Sequence, residues 1–173
     1  MFPDKIFFVG YMGSGKTSLG KKIAKKYNFN FYDSDAIIEQ QYGKKISEIF
    51  RDEGERKFRD LESACFPELL QLQSGIISTG GGFPCADSRM EIMNQHGLTV
   101  YLKCTPKFLL SRLLQSSSER PLISGLNAEM LLQKIILDLT IREPYYSQAN
   151  CIIEADARQP EEIFEAMTKC YLS

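Results

Sequence analysis

The chain has 173 residues, 43% hydrophobic and 25% charged, with 21 Lys and Arg set against 22 Asp and Glu. A length of this order suits one domain that buries roughly 70% of the surface its unfolded chain exposes, so no metal or disulfide staple is needed to build a core. The nearly cancelled charge and the lack of a long basic block exclude nucleic-acid backbone binding as the main purpose, and no apolar run approaches membrane-spanning length.

Met1-Phe2-Pro3-Asp4-Lys5 passes at once into the apolar run Ile6-Phe7-Phe8-Val9. With no basic-then-apolar leader, a cytoplasmic protein is expected. The strand expected from Lys5 to Val9 feeds Gly10-Tyr11-Met12-Gly13-Ser14-Gly15-Lys16-Thr17, a G-x-x-x-x-G-K-T loop with a helical pattern directly after it. Strand, loop and helix in that order make a phosphate cradle. The glycines allow positive φ, so successive amide N–H groups can turn onto one anion. Lys16 adds charge for the β and γ phosphates, Thr17 offers a hydroxyl to Mg²⁺, and the helix start adds unpaired N–H groups and its dipole. In the helix that follows, Lys21, Lys22, Lys25 and Lys26 form a solvated face, with Leu19, Ile23 and Ala24 turned inward.

A second strand from Phe29 to Tyr32 leads into Asp33-Ser34-Asp35. In a parallel sheet two acids at a strand's carboxyl end lie near the phosphate loop. Asp33 is suited to support Mg²⁺, and Asp35 to take a hydrogen bond or proton from an attacking hydroxyl. Either could also simply cap the next helix. From Ser47 to Leu72 the helical pattern persists with one interruption at Gly54, which predicts two consecutive helices outside the minimal strand–helix repeat. Standing over the strand ends, they could form a second-substrate site. Within them Arg59 and Glu62 share a helical face, and Arg59 can anchor a substrate carboxylate bidentately with Glu62 orienting it, or be one half of a solvated pair.

A third strand, Gly75 to Ser78, is followed by Thr79-Gly80-Gly81-Gly82, where a small substrate could touch bare main chain. His96 before Gly97 marks a helix end and receives no catalytic role. After the fourth strand, Leu98 to Lys103, Thr105-Pro106 is an N-cap with proline at the first helical position. The loop-like stretch Ser116 to Gly125 carries Arg120 beside Pro121, and a flap bearing a cation could close over ATP and exclude water. Asn127 caps a long helix near whose end Arg142 stands, where a cation favours the dipole. Cys151 to Glu154 is the fifth strand and Pro160-Glu161-Glu162 opens the last helix. Strands alternating with helices predict an α/β fold with a five-stranded parallel sheet covered on both faces. Cys65, Cys85, Cys104, Cys151 and Cys170 are scattered without a C-x-x-C pair, as expected of free thiols in a reducing compartment.

The phosphate loop, Asp33-Ser34-Asp35, Gly54-Glu55 with Phe58-Arg59 and Glu62, Gly80-Gly81-Gly82, Arg120-Pro121-Leu122, and Arg142 with Tyr145 together resemble shikimate kinase, in family order and over essentially the whole chain. That resemblance implies a three-layer P-loop kinase fold in a single domain over 1–173, with a helical substrate-binding region at 34–72 and a mobile lid at 113–126. It implies ATP phosphates on Gly13, Ser14, Gly15, Lys16, Thr17 and Ser18, with Mg²⁺ held by Thr17 and supported by Asp33. Shikimate would lie on Asp35, Arg59, Arg142 and the Gly80, Gly81 and Gly82 turn, the arginines addressing its carboxylate. Lys16, Asp35 and Arg120 would be catalytic, Arg120 closing onto the phosphates, and Arg112 and Arg158 would meet the nucleotide on its adenine side. The implied reaction is ATP-dependent phosphorylation of the 3-hydroxyl of shikimate, on the route to chorismate and the aromatic amino acids. A gluconate or nucleoside monophosphate kinase is the alternative, and a small GTPase is disfavoured because no Asn-Lys-x-Asp signature is present. The expected partners are ATP and shikimate, with no nucleic acid, no membrane and a monomeric state.

Overall fold

A computed structural model describes residues 3–86, 88–116 and 121–172. Five strands, β1 (Lys5–Val9), β2 (Phe31–Asp33), β3 (Gly75–Ser78), β4 (Leu98–Lys103) and β5 (Cys151–Glu154), pair in parallel in the order β2-β3-β1-β4-β5. The described helices are α1 (Lys16–Tyr27), α2 (Ser34–Tyr42), α3 (Ile46–Gln71), α4 (Arg89–His96), α5 (Pro106–Leu114), α6 (Ala128–Tyr146) and α7 (Pro160–Leu172), with 3₁₀ turns at Phe83–Cys85 and Pro121–Ile123. From β1 the chain goes to the edge strand β2, returns inward to β3 and then crosses β1 to β4 and β5, so the connections after β1 and β3 leave in opposite directions and these two strands meet at the switch point where ligands of open α/β sheets bind.

Side-chain alternation along β1 explains the three layers. Ile6 and Phe8 enter a core shared with Ile23 of α1, Leu109 of α5 and Ile163 of α7, while Phe7 and Val9 enter the opposite core with Ile38, Leu69 and Met93 of α2, α3 and α4. Each fully buried phenylalanine contributes roughly 1.5–3 kcal/mol by leaving water. Helix α6 serves both sides, with Leu131 and Ile135 in the first core and Tyr146 in the second.

Local chemistry sets the element ends. Thr105 accepts the amide of Phe108 and Asn127 that of Met130, so both expected caps are present. The second strand begins later than the apolar run suggests. Asn28 closes α1 in a left-handed conformation and the Phe29 amide returns to the Ala24 carbonyl, so the first two apolar-run residues belong to a helix cap and its exit. In α3, Gly54 at φ 82°, ψ 172° interrupts the helical path, so two helices meet there as expected.

The cysteine expectation needs correction. Cys65, Cys85 and Cys104 are free, but Cys151 and Cys170 form a disulfide with Cα atoms 6.0 Å apart. Helix α7 packs back on β5 and brings the first residue of the strand beside the helix's last turn. The 19-residue separation of these cysteines carries no local signature of that return.

Candidate active site

The phosphate loop leaves the carboxyl end of β1 and closes on the first turn of α1. Gly13 and Gly15 hold φ of 86° and 94°, and Gly15 is the N-cap of α1. A side chain at Gly10 would stand 2.9 Å from the Leu102 carbonyl oxygen, so the loop is seated against β4. Lys16, 7% exposed, donates to the carbonyls of Gly10 at 2.7 Å and Tyr11 at 2.9 Å. The Thr17 hydroxyl donates to Asp33 Oδ2 at 2.7 Å and lies 3.2 Å from Ser78 Oγ.

Asp33 divides its two oxygens between tasks. Oδ1 accepts the amides of Asp35 and Ala36 and caps α2, while Oδ2 holds Thr17. A hydroxyl and a carboxylate side by side at a phosphate loop are the hard oxygen donors that suit Mg²⁺, which takes its remaining ligands from phosphates and water. Among the described residues there is no cluster of three or more His, Cys, Asp or Glu that could hold a metal ion.

Across the cleft, the three-glycine turn is packed by the side chains that face it. A Cβ at Gly80 would sit 3.0 Å from both Asp35 Oδ1 and Glu62 Oε1, one at Gly81 3.5 Å from Arg142 Nη1, and one at Gly82 2.7 Å from Arg59 Nη1. The same position at Gly81 lies 3.2 Å from the Met12 amide nitrogen, so the turn abuts the phosphate loop. Ser34 accepts the Gly80 amide at 2.9 Å, and the Tyr146 hydroxyl donates to the Gly81 carbonyl. Arg59 donates to Glu62 at 2.8 Å and to Glu55 at 2.7 Å.

The electrostatics of the floor differ from those of an ordinary surface. Desolvation pushes Asp35 up to about 6, reinforced by the charges of Asp33 and Glu62 and opposed by Lys16 and the Ser34 hydroxyl. Burial also raises Glu62, against the pull of Arg59, Arg89 and Arg142. Glu62 keeps one buried oxygen, Oε1, without a hydrogen-bond partner beside Gly80. A buried oxygen of this kind at a cleft wall has the capacity to accept one further hydrogen bond.

Gly13, Gly15, Lys16, Thr17, Ser18, Asp33, Asp35, Arg59, Gly80, Gly81, Gly82, Arg112 and Arg142 all line one cleft of about 790 Å³. Ser14 is buried beneath the loop. Arg158 stands at the turn between β5 and α7, outside that lining. Arg120 lies outside the described residues, although Gln115, Ser116, Pro121 and Leu122 on either side line the cleft. Sequence reasoning missed Tyr11, Ser34, Asp138 and Tyr146 as supports of this site. Ser34 could have been suspected from its place between two acids, and Asp138 from its i, i+4 spacing to Arg142.

A phosphate loop at the switch point of a parallel sheet, facing a carboxylate and two arginines across one cleft, defines a P-loop kinase of small molecules. Residues 12–171 match the family model described as shikimate kinase, and the chain belongs to that family. A shikimate kinase of Azobacteroides pseudotrichonymphae is 43% identical over 162 residues, covering 93% of this chain and 95% of the relative. The crystal structure of shikimate kinase from Bacteroides thetaiotaomicron superposes with a TM-score of 0.87 at 39% identity, covering 96% of each chain. That of the Acinetobacter baumannii enzyme in complex with shikimate gives 0.87 at 32% identity, over 99% of this chain and 94% of the other. The family match does not favour the gluconate or nucleoside monophosphate alternative.

Proposed function

We propose that this cleft transfers the γ-phosphoryl group of ATP to the 3-hydroxyl of shikimate, giving ADP and shikimate 3-phosphate for the chorismate route. The observation that carries the reading is the direct abutment of the glycine turn, with Asp35, Arg59 and Arg142 around it, on the phosphate loop at Met12. Donor and acceptor therefore meet within one cleft, as an in-line displacement requires. The Acinetobacter baumannii relative, solved in complex with shikimate, supports the same choice of acceptor.

The loop amides from Gly13 to Ser18 cradle the phosphates, and Lys16 exchanges its two carbonyl partners for phosphate oxygens. Arg59 and Arg142 take the shikimate carboxylate, and the ring hydroxyls meet Asp35 and the backbone of Gly80, Gly81 and Gly82. Asp35 orients the 3-hydroxyl and accepts its proton as that oxygen bonds to the γ-phosphorus and the bond to the β-phosphate oxygen breaks. Thr17 and Asp33 would hold Mg²⁺, which neutralises charge on the β and γ phosphates when bound. Segment 113–126 serves as the cover over the nucleotide, with Arg120 supplying charge to the transferring group and Arg112 and Arg158 on the adenine side. The described lining of the cleft supplies both the phosphate-loop side and the acceptor side of the reaction, and a monomer is the active unit in this reading. Dependence on ATP supports a cytoplasmic site of action, and no helix among the described residues is long and apolar enough to cross a membrane.

The test is ADP release from MgATP in the presence of shikimate, gluconate or nucleoside monophosphates. Shikimate alone should drive turnover, and the product should carry phosphate on the 3-hydroxyl. Turnover driven by one of the other acceptors and not by shikimate would overturn the reading.

A further inference from the structure

Tyr11 is an unassigned position within the phosphate-loop motif, yet its side chain is 1% exposed and ends in a hydroxyl. A buried phenol needs a partner, and the Tyr11 hydroxyl finds one 127 residues away, donating to Asp138 Oδ2 on α6 at 2.7 Å. Asp138 is itself only 9% exposed. Lys134 approaches both of its oxygens at 3.2 Å. Arg142, one helical turn further on, stands 3.9 Å from the same Oδ2 and lays its guanidinium over the Tyr11 ring, 5.3 Å from the centroid. The Tyr146 hydroxyl is a further polar neighbour of Arg142, and the Glu62 carboxylate feels its charge from across the cleft.

The two carboxylate-facing arginines are thus held differently. Arg59 is closely paired with Glu62 and Glu55 at 2.8 and 2.7 Å, whereas Arg142 stays at the outer limit of pairing with an acid that points its oxygens elsewhere. Left alone, a buried carboxylate four residues away on the same helix would close on the guanidinium and compete with an incoming carboxylate.

We propose that Tyr11 and Asp138 are a positioning pair: the phenol hydroxyl holds the Asp138 carboxylate off Arg142 while the phenol ring fixes the guanidinium plane, so that Arg142 remains open to the acceptor's carboxylate. This rests on the reading of Arg142 as a shikimate contact. The arrangement also ties the nucleotide loop to the acceptor arginine through one side chain, since Tyr11 belongs to the loop that holds Lys16.

The experiment measures the dissociation constant for shikimate by titration calorimetry and KM for ATP kinetically. It uses full-length Tyr11→Phe, Asp138→Asn, the double variant and Arg142→Ala, with thermal melts of each. Loss of one hydrogen bond to a charged acceptor predicts about fivefold to tenfold weaker shikimate binding in Tyr11→Phe, with KM for ATP changed by less than about twofold. Adding Asp138→Asn should bring shikimate binding back to within about twofold of the unmodified protein, because a neutral amide does not compete for the guanidinium. Asp138→Asn alone should bind shikimate no more weakly than the unmodified protein. Unchanged binding in Tyr11→Phe, a double variant no better than Tyr11→Phe, or weakened binding in Asp138→Asn alone would each overturn the pair. A purely structural role would make the two losses add instead of cancel. Should Tyr11→Phe fail to fold, the single Asp138→Asn result decides. If Arg142→Ala binds shikimate normally, the reading of Arg142 fails and the pair with it; if that variant binds weakly and Tyr11→Phe binds normally, only the pair fails.

Discussion

Asp35 is asked to be a base in a place that disfavours its charge. Desolvation and two neighbouring carboxylates raise it to about 6, close enough to neutrality to accept a proton from a hydroxyl yet still ionised at pH 7. Activity as kcat/KM should therefore fall as pH drops through about 6, and Asp35→Asn should lower kcat by about 10²–10⁴-fold while ADP affinity, read by titration, stays unchanged. Stability carries the opposite sign. The folded value exceeds the unfolded 3.8, so the protonated form favours the fold below pH 3.8 and that contribution is lost as pH rises through about 6. Asp35→Asn should then be the more stable protein at pH 7.5, by on the order of 2 kcal/mol, with the advantage gone near pH 4; equal melting temperatures at pH 7.5 would contradict the desolvated site. The glycine turn gives a second residue-scale outcome. Gly82→Ala would place a methyl 2.7 Å from the movable end of Arg59, so the fold should survive while KM for shikimate rises about tenfold. The place of Asp33, Asp35 and the glycines at the cleft was legible because motif spacing and the strand-end rule set it without tertiary knowledge, whereas Arg59, read either as an anchor or as half of a solvated pair, was pointed to the cleft only by the family resemblance. Tyr11 and Asp138 were not, since their bond spans 127 residues and the loop motif is silent about what fills its variable positions.

The helical insertion depends on one backbone angle. At φ 82° and ψ 172°, Gly54 occupies a region essentially closed to other residues, and a Cβ there would meet nothing within 4 Å. The cost of Gly54→Ala is therefore pure backbone strain, about 1–3 kcal/mol, lowering Tm by several degrees where the same change inside a regular helix would raise it. A thermal melt with Tm unchanged or raised would show that the chain does not need this kink. Helix caps at Thr105 and Asn127 could be read in advance because each is a local contact across three residues. The start of β2 and the Cys151–Cys170 disulfide could not, because a left-handed Asn28 and the return of α7 onto β5 are decided by packing.

At the scale of the molecule, β1 divides the two cores by simple alternation and delivers its loop to the switch point, which is why the fold class could be derived from strand and helix periods alone. The meeting of α3, the glycine turn and α6 over that loop is a property of the closed chain, and no segment of sequence contains it. The lysine of the phosphate loop is not a bare cation. The ammonium of Lys16 is already engaged by the carbonyls of Gly10 and Tyr11, so an anion that takes over this ammonium gives up internal hydrogen bonds for those it gains. A polyphosphate with several oxygens recovers that loss across the loop, but orthophosphate recovers little of it and should inhibit only at about millimolar concentration or above in competition with ATP. Micromolar inhibition by orthophosphate would refute this. Lys16 is in this sense sheathed by its own loop: the backbone carbonyls of Gly10 and Tyr11 hold the ammonium in place and set a threshold that a loose phosphate does not easily meet.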